Sequence, residues 1–160
     1  MRKWTIGIGL LLAVWLVLAC AIRSWQRGQF PSGIALFGPV VTEDAPGLRE
    51  GCTAIVYRLP EESAARIARE GMGLLARLPP PRAEDPRNRY QPWHATPLAP
   101  EPHAFATGAL NGCSGRAPPE LERLADALGR PGSFYALTAN GEGILVLAPG
   151  ARLAAHLYWG

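Results

Sequence analysis

The stretch Gly132-Ser-Phe-Tyr-Ala-Leu-Thr-Ala-Asn-Gly-Glu-Gly-Ile-Leu-Val-Leu-Ala-Pro-Gly-Ala-Arg-Leu-Ala-Ala-His-Leu-Tyr-Trp-Gly160 decides how the chain folds. It holds three apolar runs separated by turn signals. Ser133 to Thr138 and Gly143 to Leu147 flank Asn140-Gly141, a pair that reads as a hairpin connection. Pro149-Gly150 then turns the chain into Arg152 to Trp159. Three short runs joined by tight turns predict an antiparallel meander.

Upstream of the meander, Pro118-Pro119-Glu120 opens a helix. Leu121, Leu124, Ala125 and Leu128 form its apolar stripe, and Gly129 ends it. Before that, His103 to Leu110 is expected as a strand closed by the turn Asn111-Gly112. Residues 79–102 carry eight of the chain's 16 prolines. Such a segment is excluded from helices and central strands and is expected as a long loop with polyproline II pieces. Long loops of this kind usually carry a role.

Nearer the start, Thr53 to Leu59 is a clear strand. A helix follows from Pro60, with Glu61 and Glu62 suited to its positive N-terminal dipole. Ile67, Leu74, Leu75 and Leu78 lie on one stripe, while Glu62, Arg66 and Glu70 occupy another face. Gly71 and Gly73 each weaken this helix by about 1 kcal/mol relative to alanine, so they mark close packing or a kink. Ile34 to Val41, broken by Gly38-Pro39, is at most a short or edge strand. Thr42 to Gly51 reads as a polar loop and residues 26–33 as a tether. There is no internal repeat. The fold class expected is α+β: an N-terminal anchor (residues 1–25), then a small domain (residues 34–160) with a mainly antiparallel sheet and two helices packed on one face.

The anchor expectation rests on Trp4 to Ile22, 19 residues without a charge, preceded by Arg2 and Lys3. That length exceeds the apolar core of a cleaved signal and approaches the roughly 20 residues needed to cross a bilayer. Trp4 and Trp25 lie 21 residues apart, about 31 Å along a helix at ~1.5 Å per residue, which suits one indole at each interface. Residues 4–22 are therefore expected to meet a membrane, with the domain on the far side of Arg2 and Lys3. Val17-Leu18-Ala19-Cys20 resembles a bacterial lipobox, which makes Cys20 a candidate lipidation site and a second route to the same compartment.

Charge follows the same division. The chain has a net charge of +3, yet from residue 28 onward 12 Arg face 13 Asp and Glu, a net of −1. The basic excess flanks the apolar segment, so nucleic-acid binding, which needs it on the folded domain, is not expected. Fifteen Arg against one Lys points to a GC-rich bacterial genome. The 48% apolar content is that of a folded chain, and about 130 residues beyond the anchor suffice for one core.

Setting Cys20 aside, Cys52 and Cys113 form an even pair, expected as a disulfide in an exported domain. Other site readings are weaker. His94, His103 and Glu101 have metal-ligand chemistry but sit in a proline-rich loop with no spacing to aim them, so no metal and no cofactor is expected. Gly112-Cys113-Ser114-Gly115 lacks the Gly-x-Ser-x-Gly spacing of a nucleophile elbow. Gly141-Glu142-Gly143 is a hairpin turn with no helix behind it to receive a phosphate. Arg82, Arg87, Arg89, Tyr90 and Trp93 are the best candidates for a contact surface, being of the types enriched at binding hot spots.

The leading expectation is a non-enzymatic envelope protein that binds another protein, as an assembly module or as a periplasmic immunity or inhibitor-type protein. The alternatives are a small envelope hydrolase pairing Cys52 or Cys113 with His94 or His103, and a carrier of a small ligand in an apolar pocket.

Overall fold

A computed structural model describes residues 2–45, 51–79, 89–100, 108–111, 113, 115 and 117–159; for residues 2–7, 23, 25 and 26 the backbone alone is described. The chain opens with helix α1 (Arg2–Gly28) and continues through β1 (Pro39–Ala45), β2 (Cys52–Arg58), α2 (Glu61–Leu75), β3 (His94–Ala95), α3 (Pro119–Leu128), β4 (Phe134–Leu137), β5 (Gly143–Ala148) and β6 (Leu153–Trp159). The strands form one antiparallel sheet in the order β1-β2-β6-β5-β4-β3. The expected meander is its centre. β4 and β5 join through a turn in which Thr138 N–H donates to the Gly143 carbonyl (2.8 Å) and Gly143 N–H donates to the Thr138 hydroxyl (2.7 Å). A Cβ on Gly143 would lie 2.6 Å from the Thr138 Cγ2, so this close approach excludes any side chain there.

The helices do not share a face. α2 lies on one side of the sheet, where Ile67, Leu74 and Leu75 pack with Ile55, Tyr57, Leu145, Leu147 and Ala154. α3 lies on the other, where Leu121, Leu124 and Leu128 pack with Ala54, Val56, Ile144, Val146 and Leu157. This corrects the one-faced arrangement. The physical sign is in β5, where every residue from Gly143 to Ala148 is buried. A strand covered on one face alternates apolar and polar residues, whereas one covered on both is apolar throughout.

α2 begins after Pro60 and is interrupted at Gly71, whose φ of 53° and ψ of −137° are readily reached only by glycine. The glycine therefore marks a kink, beyond which Leu74 and Leu75 remain buried. Around Glu70 gather Arg66, Arg69 and Arg77 at 3.2–3.5 Å. These ion pairs are exposed and contribute about 0–1 kcal/mol each. Cys52 and Cys113 are joined by a disulfide across a sequence separation of 61, tying the start of β2 to the segment before α3.

Four further expectations change. The proline-rich segment is not loop throughout. Its described part runs along the outer edge of β4, with Tyr90 opposite Thr138, His94 opposite Tyr135 and Ala95 opposite Phe134. Gln91 N–H donates to the Leu137 carbonyl (2.7 Å) and Thr96 N–H to the Ser133 carbonyl (3.0 Å). An edge position tolerates Pro92 and Pro97, which lack a donor. β1 is an edge strand, as expected, but it extends through Thr42 to Ala45, which had read as loop. Only an outer strand accepts so polar a sequence. Of the strand expected at residues 103–110, residues 108–110 are helical and 103–107 lie outside the described residues. Finally, residues 26–33, expected as a tether, belong in part to the core: Gln29, Phe30 and Pro31 are buried, and Phe30 meets Tyr57 edge-on at 5.4 Å.

α1 runs 27 residues without a break through Cys20, whose thiol is free and exposed. Its described side chains from Ile8 to Ile22 are apolar and exposed, Leu11 by 71% and Trp15 by 67%. Among the described residues, no helix is long and apolar enough to cross a membrane. The run of described side chains, residues 8–22, covers about 22 Å at ~1.5 Å per residue, short of a ~30 Å hydrocarbon core.

Candidate functional site

Of the five residues expected as a contact surface, Arg82 and Arg87 lie outside the described residues and Arg89 is exposed. Tyr90 and Trp93 are half-buried and pack against the α2 side of the core. The bridge to Thr138 holds Tyr90 from one side, and its hydroxyl donates to Gln29 Oε1 (3.4 Å) from the other. Burial pushes the Tyr90 phenol well above its usual range, so it stays a neutral donor.

These two rings form one wall of a groove of about 440 Å³. The opposite wall comes from the end of α2 and the turn after it, through Met72, Leu75, Ala76, Leu78 and Pro79, and Pro31 closes one end. The lining is apolar apart from the Tyr90 hydroxyl and Gln91. Its volume is that of an ordinary ligand-sized cleft. Met72 is 39% exposed although the residues on both sides of the kink are core. It follows Gly71 directly, so the break in the helix presents its thioether to the groove. Unbranched methionine adapts to irregular partners, and Tyr and Trp anchor them at small entropic cost. Sequence reasoning found the two aromatic residues but missed Met72, Leu78 and Pro31. The flanking glycines at 71 and 73 were the available signal for Met72.

Among the described residues that line it, the groove has no nucleophile or acid-base pair. Cys52 and Cys113 are bonded to each other, which removes both thiolates from the Cys/His arrangement. His94 lies on the exposed edge strand and stacks on Tyr135, with ring centroids 5.4 Å apart. Glu101, His103, Gly112 and Ser114 lie outside the described residues. Among the described residues, no three His, Cys, Asp or Glu side chains cluster as metal ligands do.

His156 sits inside β6 between Ile55 of β2 and Leu145 of β5, both buried. Desolvation pushes its imidazole down to about 4. The folded state therefore holds His156 neutral between that value and the ordinary 6.5, while the unfolded chain binds a proton. Stability from this group is complete above pH 6.5 and is lost as pH falls toward 4. The urea midpoint is expected to drop across that interval, and His156→Leu should flatten the drop. An identical pH profile in the variant would show that His156 does not titrate differently on folding.

At the end of the sheet, the Tyr158 hydroxyl and the Asn140 side-chain amide donate to Glu142 Oε2 (3.1 and 2.6 Å), and Thr138 joins the same network through Asn140. Burial and the bond to Glu142 both raise the Tyr158 phenol. These contacts fix the β4–β5 turn, and their position on a short hairpin accounts for them structurally. Comparison with family models, with curated proteins and with solved structures finds no match to this chain.

Proposed function

We propose that the protein is a membrane-anchored, non-enzymatic binding module of the bacterial cell envelope. α1 would hold it in the inner membrane, and the groove beside Tyr90 and Trp93 would take a protein partner on the outer side. The observation that carries this reading is a helix whose described side chains from Ile8 to Ile22 are apolar and outward-facing, joined to a domain with an apolar groove. Apolar surface of that extent is disfavoured in water and marks a lipid or protein contact. With Trp4 to Gly7 added from the sequence, the uncharged run reaches the length of a bilayer span. The disulfide supports the oxidising side of the membrane for the domain. The length of the uncharged run and the Trp4–Trp25 spacing favour a retained anchor over lipidation, and an intact-mass measurement distinguishes the two.

Deleting residues 80–102 would remove β3 and strip the outer edge of β4, so point substitutions test the groove more cleanly. Trp93→Ala, together with Met72→Glu in a separate variant, is expected to weaken capture of a cross-linked envelope partner by at least about tenfold, as for hot-spot side chains. Arg66→Ala, on the exposed face of α2, should leave capture unchanged. Equal capture by all three variants would exclude the groove as the contact surface.

A further inference from the structure

We propose that the cleft where α1 meets the domain binds an anionic phospholipid, its headgroup phosphate on Arg27 and the upper part of one acyl chain on Phe30, Ile34 and Leu36. The proposal rests on the anchor reading and adds a ligand to it. The cleft encloses about 560 Å³ and is lined from the helix side by Cys20, Ser24 and Arg27 and from the domain side by Phe30, Ile34 and Leu36.

Depth is the first argument. Arg27 lies five residues beyond Ile22, the end of the uncharged run. Five residues raise it about 7–8 Å along the helix, the thickness of one headgroup layer. The exposed apolar side of α1 thus leads directly into the cleft, so a lipid beside the helix reaches it without leaving its leaflet.

Charge is the second. Arg27 is exposed, and among the described residues no carboxylate pairs with it. Its charge reaches the Tyr57 phenol, which burial raises and Arg27 pulls the other way. Arg27 lines the cleft beside its apolar residues, with Ser24 and Ser32 on the same lining, and together they offer charge and donors to a phosphate diester. Phe30 is itself fixed against Tyr57, so the floor is set before a ligand arrives.

The test uses the full chain in vesicles of phosphatidylcholine alone and of phosphatidylcholine with phosphatidylglycerol, followed by native mass spectrometry of the released protein. Phosphatidylglycerol should be retained over phosphatidylcholine by about fivefold, as expected of one basic side chain at an anionic surface. Arg27→Glu should abolish the preference, whereas Arg66→Glu, with the same charge change far along α2, should keep it. Ile34→Ser should lower total lipid retention with the preference intact. Glycerol phosphate added in excess should not compete, which separates a lipid from a free phosphate. Protein that fails to float with either vesicle overturns the anchor reading and the site with it. Protein that floats but shows no preference, or the same preference in Arg27→Glu, overturns the lipid site alone.

Discussion

Replacing Cys52 and Cys113 together with alanine is expected to lower the unfolding free energy by about 4 kcal/mol, the value for closing a loop of roughly 60 residues in the unfolded chain. For a domain of this size that corresponds to a fall on the order of 12 °C in the melting temperature. The bond encloses α2 and the whole proline-rich segment in one covalent ring, because both lie between residues 52 and 113. Once it is opened, the segment leading into α3 keeps the packing of Ala109 and Leu110 in the core and Cys113 at its margin. Dithiothreitol acting on the natural chain should reproduce the loss. A urea midpoint that moves by less than the equivalent of about 1 kcal/mol in both experiments would show that the unfolded chain is already compact around these residues.

The second large effect concerns the two-sided core. Ile67→Ala in α2 and Leu124→Ala in α3 are each expected to cost about 3 kcal/mol, within the 2–5 kcal/mol usual for such truncations. Both side chains are at most 1% exposed. They lie on opposite faces of the sheet and share no contact cluster. The double variant should therefore lose the sum of the two within about 0.5 kcal/mol. Two helices side by side on one face would instead couple through common neighbours. Strong non-additivity, measured by equilibrium denaturation, would contradict the two-faced arrangement. Leu145→Ala and Val146→Ala, adjacent in β5 but facing opposite sides, offer a second pair for the same comparison.

The groove and the cleft beside α1 meet at Pro31, which lines both. The turn after α1 is thus wedged between the proposed membrane contact and the proposed partner contact. Gln29 is buried there and accepts from Tyr90 across the groove wall. The position of α1 and the shape of the groove are set by the same few residues.

Local chemistry was legible in advance. The meander followed from Asn140-Gly141 and Pro149-Gly150 between apolar runs. The starts of α2 and α3 followed from proline with acidic residues behind it, and the end of α3 from Gly129. The Cys52–Cys113 pairing followed from counting, once Cys20 was assigned to the first helix. Each depends on residues within a few positions of one another, or on there being one remaining partner. The face on which each helix packs was different. A stripe such as Ile67, Leu74 and Leu75 states that a helix is covered, not by which side of the sheet. β1 was likewise only half visible, since Thr42, Glu43 and Asp44 take strand geometry because β2 is beside them.

The same division holds for the groove. Tyr90 and Trp93 stood out by residue type, but their neighbours Met72, Leu78 and Pro31 lie 12 to 62 positions away along the chain. They converge because the proline-rich segment pairs along β4 and the kink at Gly71 turns the end of α2 toward it. The sequence by itself determined β2, α2, α3, the C-terminal meander, its turns, the cross-link and the apolar helix, because these arise from short-range backbone preference and hydrophobic period. Only the tertiary structure decided the two-faced sheet, the burial of Phe30 and the groove, because these depend on which distant surfaces exclude water together.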